Sequence, residues 1–471
     1  MEQQETAVME RLDSLASAAG GRLIFGLPET SITGIFTDTR EPLRGGLFVA
    51  LRGERFDGNS FARDAVLKLG AAAVMLDRPD AATAVPSGAG AILVDDSRTG
   101  YLGIAAQHRQ KYSSTLYFGI TGSVGKSTTK ELLAHILTRG AGWNVHKAKS
   151  SFNNAIGLSH TIMGVDSHHR AAVLELGTNH PGEIRQLASV ARPHVALITC
   201  AGASHLQAFE SVENVAREKA QILAFQSPGD TAVLNADDPY FKYWRNLSKG
   251  KVLSFGLSEN ADVRAKHVRV NGRGCAEFMV RFGDSLSDCV LLYPGLHQAG
   301  NALCAIAAAM AAGMRLEAAT EAACTFEGLA RRFSLKNQRG ITIIDDAYNA
   351  NPNSFASALE TLKLFNAQRK FVVAGDMLEL GACAAQYHRE LGRQMANCGL
   401  SGLVTVGELA AESGQSAVAA GLWASRWKSC DTPQTACETL KPILKAGDVV
   451  LIKGSHGVRL EQTVAGLLAA E

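Results

Sequence analysis

The sequence predicts an α/β protein of three domains. A central P-loop domain on a mostly parallel sheet lies between a smaller N-terminal domain and a C-terminal Rossmann-like α/β domain. Three observations carry that expectation. The length, 471 residues, exceeds what a single core organises, since domains commonly run to roughly 100–200 residues. Apolar runs of strand length alternate with helix-period stretches through most of the chain, the pattern of βαβ units. A glycine-rich turn, Gly119-Ile120-Thr121-Gly122-Ser123-Val124-Gly125-Lys126-Ser127-Thr128, follows the apolar run Leu116-Tyr117-Phe118 and opens a helical stretch.

Boundaries fall near Tyr112 and near Gly328, giving domains over 1–112, 113–327 and 328–471. The first contains Gly34–Arg40 and Gly46–Gly53, then the apolar runs Ala71–Leu76 and Ala91–Val94, with a helical stretch over Ser60–Leu69. In the second, strands are expected at Leu116–Ile120, Ala172–Leu176, Val195–Thr199 and Thr231–Leu234. Helices are expected between them at Lys126–Thr138, Pro181–Val190 and Val212–Phe225, and an alanine-rich helix, Asn301–Ala312, closes the block. The third offers strands at Ile341–Ile344, Phe371–Ala374, Leu403–Val406 and Val449–Ile452, each leading through a loop into a helical stretch. In such sheets ligands gather beyond the carboxyl ends of the strands.

Composition narrows the function class. With 47 basic and 45 acidic residues the net charge is +2, so no strong field calls for nucleic acid or an anionic membrane. No apolar run reaches transmembrane length, and Met1-Glu2-Gln3-Gln4-Glu5 is too polar and acidic for a signal peptide. The nine cysteines include no CxxC pair, which suits reduced thiols in a cytosol.

The glycine turn is the sharpest motif. Gly122 and Gly125 let the backbone approach an anion, and the N–H groups of the turn and helix start point at it. Lys126 then reaches the outer phosphates of a nucleotide, and the Ser127 hydroxyl suits Mg²⁺. The spacing departs from GxxxxGK[ST], because the first glycine is Gly119 rather than residue 120. Glu175 closes the next apolar strand, where a hard cation finds an oxygen ligand. His205 follows the strand after that, at the same sheet edge. Lys219 reads only as a charge on an amphipathic helix. Asp345-Asp346-Ala347-Tyr348-Asn349-Ala350-Asn351-Pro352-Asn353-Ser354 is too polar for packing. It suits a loop that binds something polar and caps a helix at Asn353 or Ser354.

Together these strings resemble the Mur ligases, ATP-dependent amide-forming enzymes of peptidoglycan precursor synthesis. Thr37–Arg40 with GGLFVALRGERFDG is similar to their uridine-nucleotide domain. SFNNAIG, ELGTNHPGEI, DDAYNANPNS and GDMLELG resemble the branch that adds a terminal dipeptide. The resemblance implies an ATP-dependent ligase joining D-alanyl-D-alanine to UDP-N-acetylmuramoyl-tripeptide through an acyl phosphate. It implies ATP and Mg²⁺ as cofactors and a monomer in the cytoplasm. It also implies roles: Lys126, Lys219, His205 and Arg332 in catalysis; Thr121, Gly122, Ser123, Val124, Gly125, Lys126, Ser127, Thr128, Asn301, Arg332 and Asp346 on ATP; Ser127, Glu175, His205 and a carbamylated Lys219 on metal. Thr37, Asp38, Thr39, Arg40 and Phe48 would hold the uridine substrate, and Asn349 and Asn351 the dipeptide. Val124, Gln221 and Leu296 depart from the family pattern. An amide ligase of Mur or folylpolyglutamate type with a different amine is the alternative.

Overall fold

In the computed structural model, residues 10–53 and 56–469 are described. Met1–Glu5 and the Glu54-Arg55 pair of GGLFVALRGERFDG lie outside the described residues. Three main sheets follow one another along the chain. The first has five strands in the order Arg22–Phe25, Gly90–Leu93, Ala73–Leu76, Leu47–Val49 and Ile35–Phe36, parallel except for its first pair.

The second sheet has nine strands and positions the site. Leu116–Thr121 lies between Ala171–Glu175 and Val195–Ile198 and runs parallel to both. In register, Glu175 stands beside Ile120 and Ile198 beside Thr121. The carboxyl ends of all three strands therefore open onto the glycine turn. Successive side chains of these strands enter opposite faces, and both faces are buried. Phe118, Ile120, Ala171 and Val173 pack with the helices Lys126–Ala141 and Gln298–Ala311. Tyr117, Ala172 and Leu174 pack on the other side with Ile184, Ala216 and Trp244.

The third sheet has six strands in the order Ser334–Gln338, Ile341–Asp346, Val449–Lys453, Lys370–Gly375, Gly402–Val406 and Trp427–Cys430. Only its first pair is antiparallel.

Several elements differ from expectation. Lys251–Gly256, Val263–Val270, Cys275–Phe282 and Ser285–Pro294 complete the nine-stranded sheet, the last three as an antiparallel meander. Their solvent faces carry charges, as in Val263-Arg264-Ala265-Lys266, and this breaks up the apolar runs that mark buried parallel strands. The expected helix Val212–Phe225 ends at Ala220 and continues only as a 3₁₀ turn, Gln221–Leu223. The alanine-rich helix is not the last element of its block, because Leu316–Ala323 follows and packs against Lys126–Ala141.

Candidate active site

The glycine turn takes the conformation its residues permit. Gly122 and Gly125 have φ of 147° and 86°, in the region that L side chains rarely enter. A Cβ at Gly122 would lie 1.9 Å from Thr199 Oγ1, and one at Gly125 2.3 Å from Asn301 Oδ1. Thr199 Oγ1 donates to the Val124 carbonyl at 2.5 Å, tying the turn to the end of the neighbouring strand. Lys126 begins the helix Lys126–Ala141 and donates to Gly122 O at 2.5 Å. Burial pulls its amine below the ordinary lysine range. Glu175 opposes that shift and Arg332 adds to it.

Ser127 is the junction of the site. Its hydroxyl donates to Glu175 Oε2 at 2.9 Å and accepts from the Arg332 guanidinium at 2.9 Å. Glu175 is only 1% exposed, and its other oxygen accepts from Asn153 Nδ2 at 3.0 Å. Lys130 stands 3.9 Å away and anchors the adjoining loop by donating to Ala148 O and Ser150 O. Arg332 also lies 4.1 Å from the Tyr348 ring centroid. Asp346 braces the turn that carries it, accepting from Phe333 N at 3.1 Å and from Lys453 Nζ at 2.7 Å. His205, at φ 53°, meets Glu379 with 2.6 Å between Nδ1 and Oε2, and this bond holds the Glu379 carboxyl below its usual range.

A pocket of about 580 Å³ opens between the second and third sheets over these groups. Ser123, Val124, Gly125, Lys126, Ser127, Thr128, Glu175, His205, Asn301, Arg332, Asp346, Asn349 and Asn351 all line it. Thr121 and Gly122 form the turn but are not in the lining. Lys219 is 1% exposed in the helix Val212–Ala220 and is also outside the lining. Burial, and then the neighbouring Lys126 charge, pull its amine down to about 7.

The expected uridine residues are elsewhere. Thr37, Asp38, Thr39, Arg40 and Phe48 do not line this pocket. Arg40 is exposed and pairs with Asp38 at 2.5 Å, holding that carboxyl at about 2. Phe48 is 1% exposed in the core of the first sheet, its ring centroid 5.3 Å from that of Phe36. The helix cap also moves. Asn351, not Asn353 or Ser354, caps Pro352–Lys363, accepting from Ser354 N at 2.8 Å, which commits its carbonyl oxygen. Asn353 instead accepts from Ala203 N at 3.2 Å, across to the second sheet's loops.

Sequence reasoning assigned no site role to Lys453, Asn153, His297, Tyr348 or Glu379, all in the pocket lining. Lys453 carried a signal, since it ends an apolar strand as Glu175 does. His297 carried only its place beside Leu296 in the string that opens the alanine-rich helix. Its burial, which pushes it down to about 4, comes only from packing.

Whether Mg²⁺ fits is decided by the donors. Ser127 and the buried Glu175 offer the oxygens a hard cation takes. Among the described residues no three His, Cys, Asp or Glu side chains form a metal-binding group. Lys219 contributes an oxygen only once carbamylated.

Comparison with known proteins follows the same three-part order. Residues 31–110 match the Mur ligase family catalytic domain, 120–309 the Mur ligase middle domain, and 331–456 the Mur ligase glutamate ligase domain. The UDP-N-acetylmuramoyl-tripeptide–D-alanyl-D-alanine ligase of Synechocystis sp. is 35% identical over 446 residues, covering 93% of this chain and 92% of the relative. A crystal structure of MurF from Acinetobacter baumannii superposes with a TM-score of 0.90 at 29% identity, over 98% of this chain and 99% of that one. The MurF ligase of Thermotoga maritima in complex with ADP gives 0.81 at 28% identity, over 92% and 96%.

Proposed function

The chain belongs to the Mur ligase family, and from that premise we propose how its pocket performs an ATP-dependent ligation. The enzyme joins D-alanyl-D-alanine to UDP-N-acetylmuramoyl-tripeptide, giving the pentapeptide precursor of peptidoglycan with release of ADP and phosphate. One observation carries the assignment of roles. Arg332, from the third block, donates to the hydroxyl of Ser127 on the phosphate turn, and the same hydroxyl bonds Glu175.

ATP phosphates lie on the N–H groups of residues 122–128, against Lys126 and Arg332. Phosphoryl transfer asks chiefly for positioning and charge neutralisation. The tripeptide's terminal carboxylate attacks the γ-phosphorus and ADP leaves. The amine of the dipeptide attacks the carbonyl carbon of the acyl phosphate, a tetrahedral intermediate forms, and phosphate departs. Lys126 and Arg332 hold the transferring group, while Asp346 and Lys453 keep the Arg332 turn in place. Asn301 stands beside the nucleotide. Ser127, Glu175, His205 and carbamylated Lys219 would hold Mg²⁺, which when bound neutralises phosphate charge. The depressed Lys219 amine supports that modification, because its neutral form is the one that adds CO₂.

We assign the uridine moiety to 1–112 through Thr37–Arg40, ATP to 113–327, and the dipeptide to 328–471 through Asn349 and Asn351. The enzyme acts as a monomer in the cytoplasm, a placement supported by nine free cysteines. Among the described residues no helix is long and apolar enough to cross a membrane.

The test is phosphate release from ATP with UDP-muramoyl di-, tri- and tetrapeptides against candidate amino acids and dipeptides. Turnover should require the tripeptide and D-alanyl-D-alanine together. Turnover with glutamate or a single amino acid instead would overturn the substrate assignment.

A further inference from the structure

Glu379 has no part in the mechanism so far, yet its position is unusually constrained. It sits at φ 66°, left-handed for a non-glycine residue, and faces His205, at φ 53°. Such strain persists only where the surroundings over-determine it, and it concentrates at functional sites. The loop around Glu379 is held from several sides. Met377 N donates to the Nε2 of buried His388 at 3.0 Å, and Leu378 N donates to Ser455 Oγ at 2.9 Å. The Glu379 carbonyl accepts from Gln207 N at 3.1 Å, two residues beyond His205. The Glu379 carboxylate, half-exposed, then meets His205 Nδ1 at 2.6 Å.

We propose that Glu379 is a positioning residue that orients His205 for the metal. An imidazole whose Nδ1–H donates to a carboxylate has its lone pair on Nε2, the tautomer and ring setting a metal-binding histidine needs. Because Glu379 belongs to the third block and His205 to the second, the ligand is fully set only when the two blocks meet. The proposal rests on the reading of His205 as a metal ligand. It differs from a plain interdomain ion pair, which at a half-exposed position contributes little.

The experiment is Mn²⁺ binding, followed by electron paramagnetic resonance on full-length enzyme with ADP and UDP-N-acetylmuramoyl-tripeptide, with Mg²⁺ competition. Glu379→Ala should weaken binding by about 10- to 100-fold, the usual cost of losing such an outer partner. Glu379→Gln keeps size and a neutral acceptor, so it should lose less and gives a reading even if the alanine variant folds poorly. The double variant His205→Ala/Glu379→Ala should bind no more weakly than His205→Ala, because Glu379 acts through that ring. Wild-type Mn²⁺ affinity in both Glu379 variants, with a weakened His205→Ala, would overturn the proposal alone. So would a double variant in which the two losses multiply. Wild-type affinity in His205→Ala would overturn the ligand reading, and the proposal with it.

Discussion

Replacing Arg332 by alanine removes three interactions: the 2.9 Å bond to Ser127 Oγ, the stacking 4.1 Å over Tyr348, and the positive charge beside Lys126. Their ground-state worth is modest. A charge-assisted hydrogen bond contributes about 1.5–3 kcal/mol, and a partly exposed cation–π contact about 1 kcal/mol. At the transferring phosphoryl group the same charge works in a site that excludes water. Losing one such contributor typically costs about 3–4 kcal/mol, or roughly 10²–10³ in kcat. Arg332→Ala should therefore lower kcat by about that factor while ADP affinity falls less than tenfold. Lysine should rescue only part, because it restores the charge without the planar fork that meets Ser127 and stacks on Tyr348. Phosphate-release kinetics at saturating substrates, with ADP binding by calorimetry, separate the two effects. Normal turnover, or a loss in ADP affinity as large as the loss in kcat, would refute the assignment of Arg332 to the transferring group.

Lys126→Ala should abolish ligation, costing about 3 kcal/mol or more at the transition state. Its melting temperature should hold, because the substitution also removes a cation that burial already disfavours. In CO₂-stripped protein, where Lys219 keeps its free amine, that amine is set down to about 7 from an ordinary 10.5, so between those values the unfolded chain binds the extra proton and stability rises with pH. Lys219→Met should flatten that slope in denaturant titrations, and stripping CO₂ should lower wild-type activity but not the variant's residual rate. Phe48→Ala should cost about 3–5 kcal/mol of stability with little change in KM for the UDP-peptide once the protein is folded. A large KM change at unchanged stability would instead assign Phe48 to the uridine site.

Glycines at residues 122 and 125, followed by Lys126 and Ser127, announce a phosphate turn without any structure, because the demand for unusual φ is local. The same holds for strand runs that end in a polar residue, as at Glu175 and Asp346, and for the alternation that marks a parallel sheet buried on both faces. Antiparallel strands with charged outer faces escape this reading. Their identity depends on which neighbour they pair with, and the meander over 263–294 was legible only in the fold. The roles of Lys219 and Arg332 came from family resemblance, since periodicity made neither residue special.

What tertiary structure alone decided is which residues meet. Placing Leu116–Thr121 between Ala171–Glu175 and Val195–Ile198 sets Glu175 beside the phosphate turn. Arg332 reaches Ser127 across 205 residues of sequence. The same packing draws Lys219 out of water, moves Phe48 into a core, makes Asn351 a helix cap, and joins Glu379 to His205. Local rules of backbone and periodicity act over a few residues and can be read from them. Burial and partnership are set by strand order and packing between blocks, and no short stretch of sequence contains those.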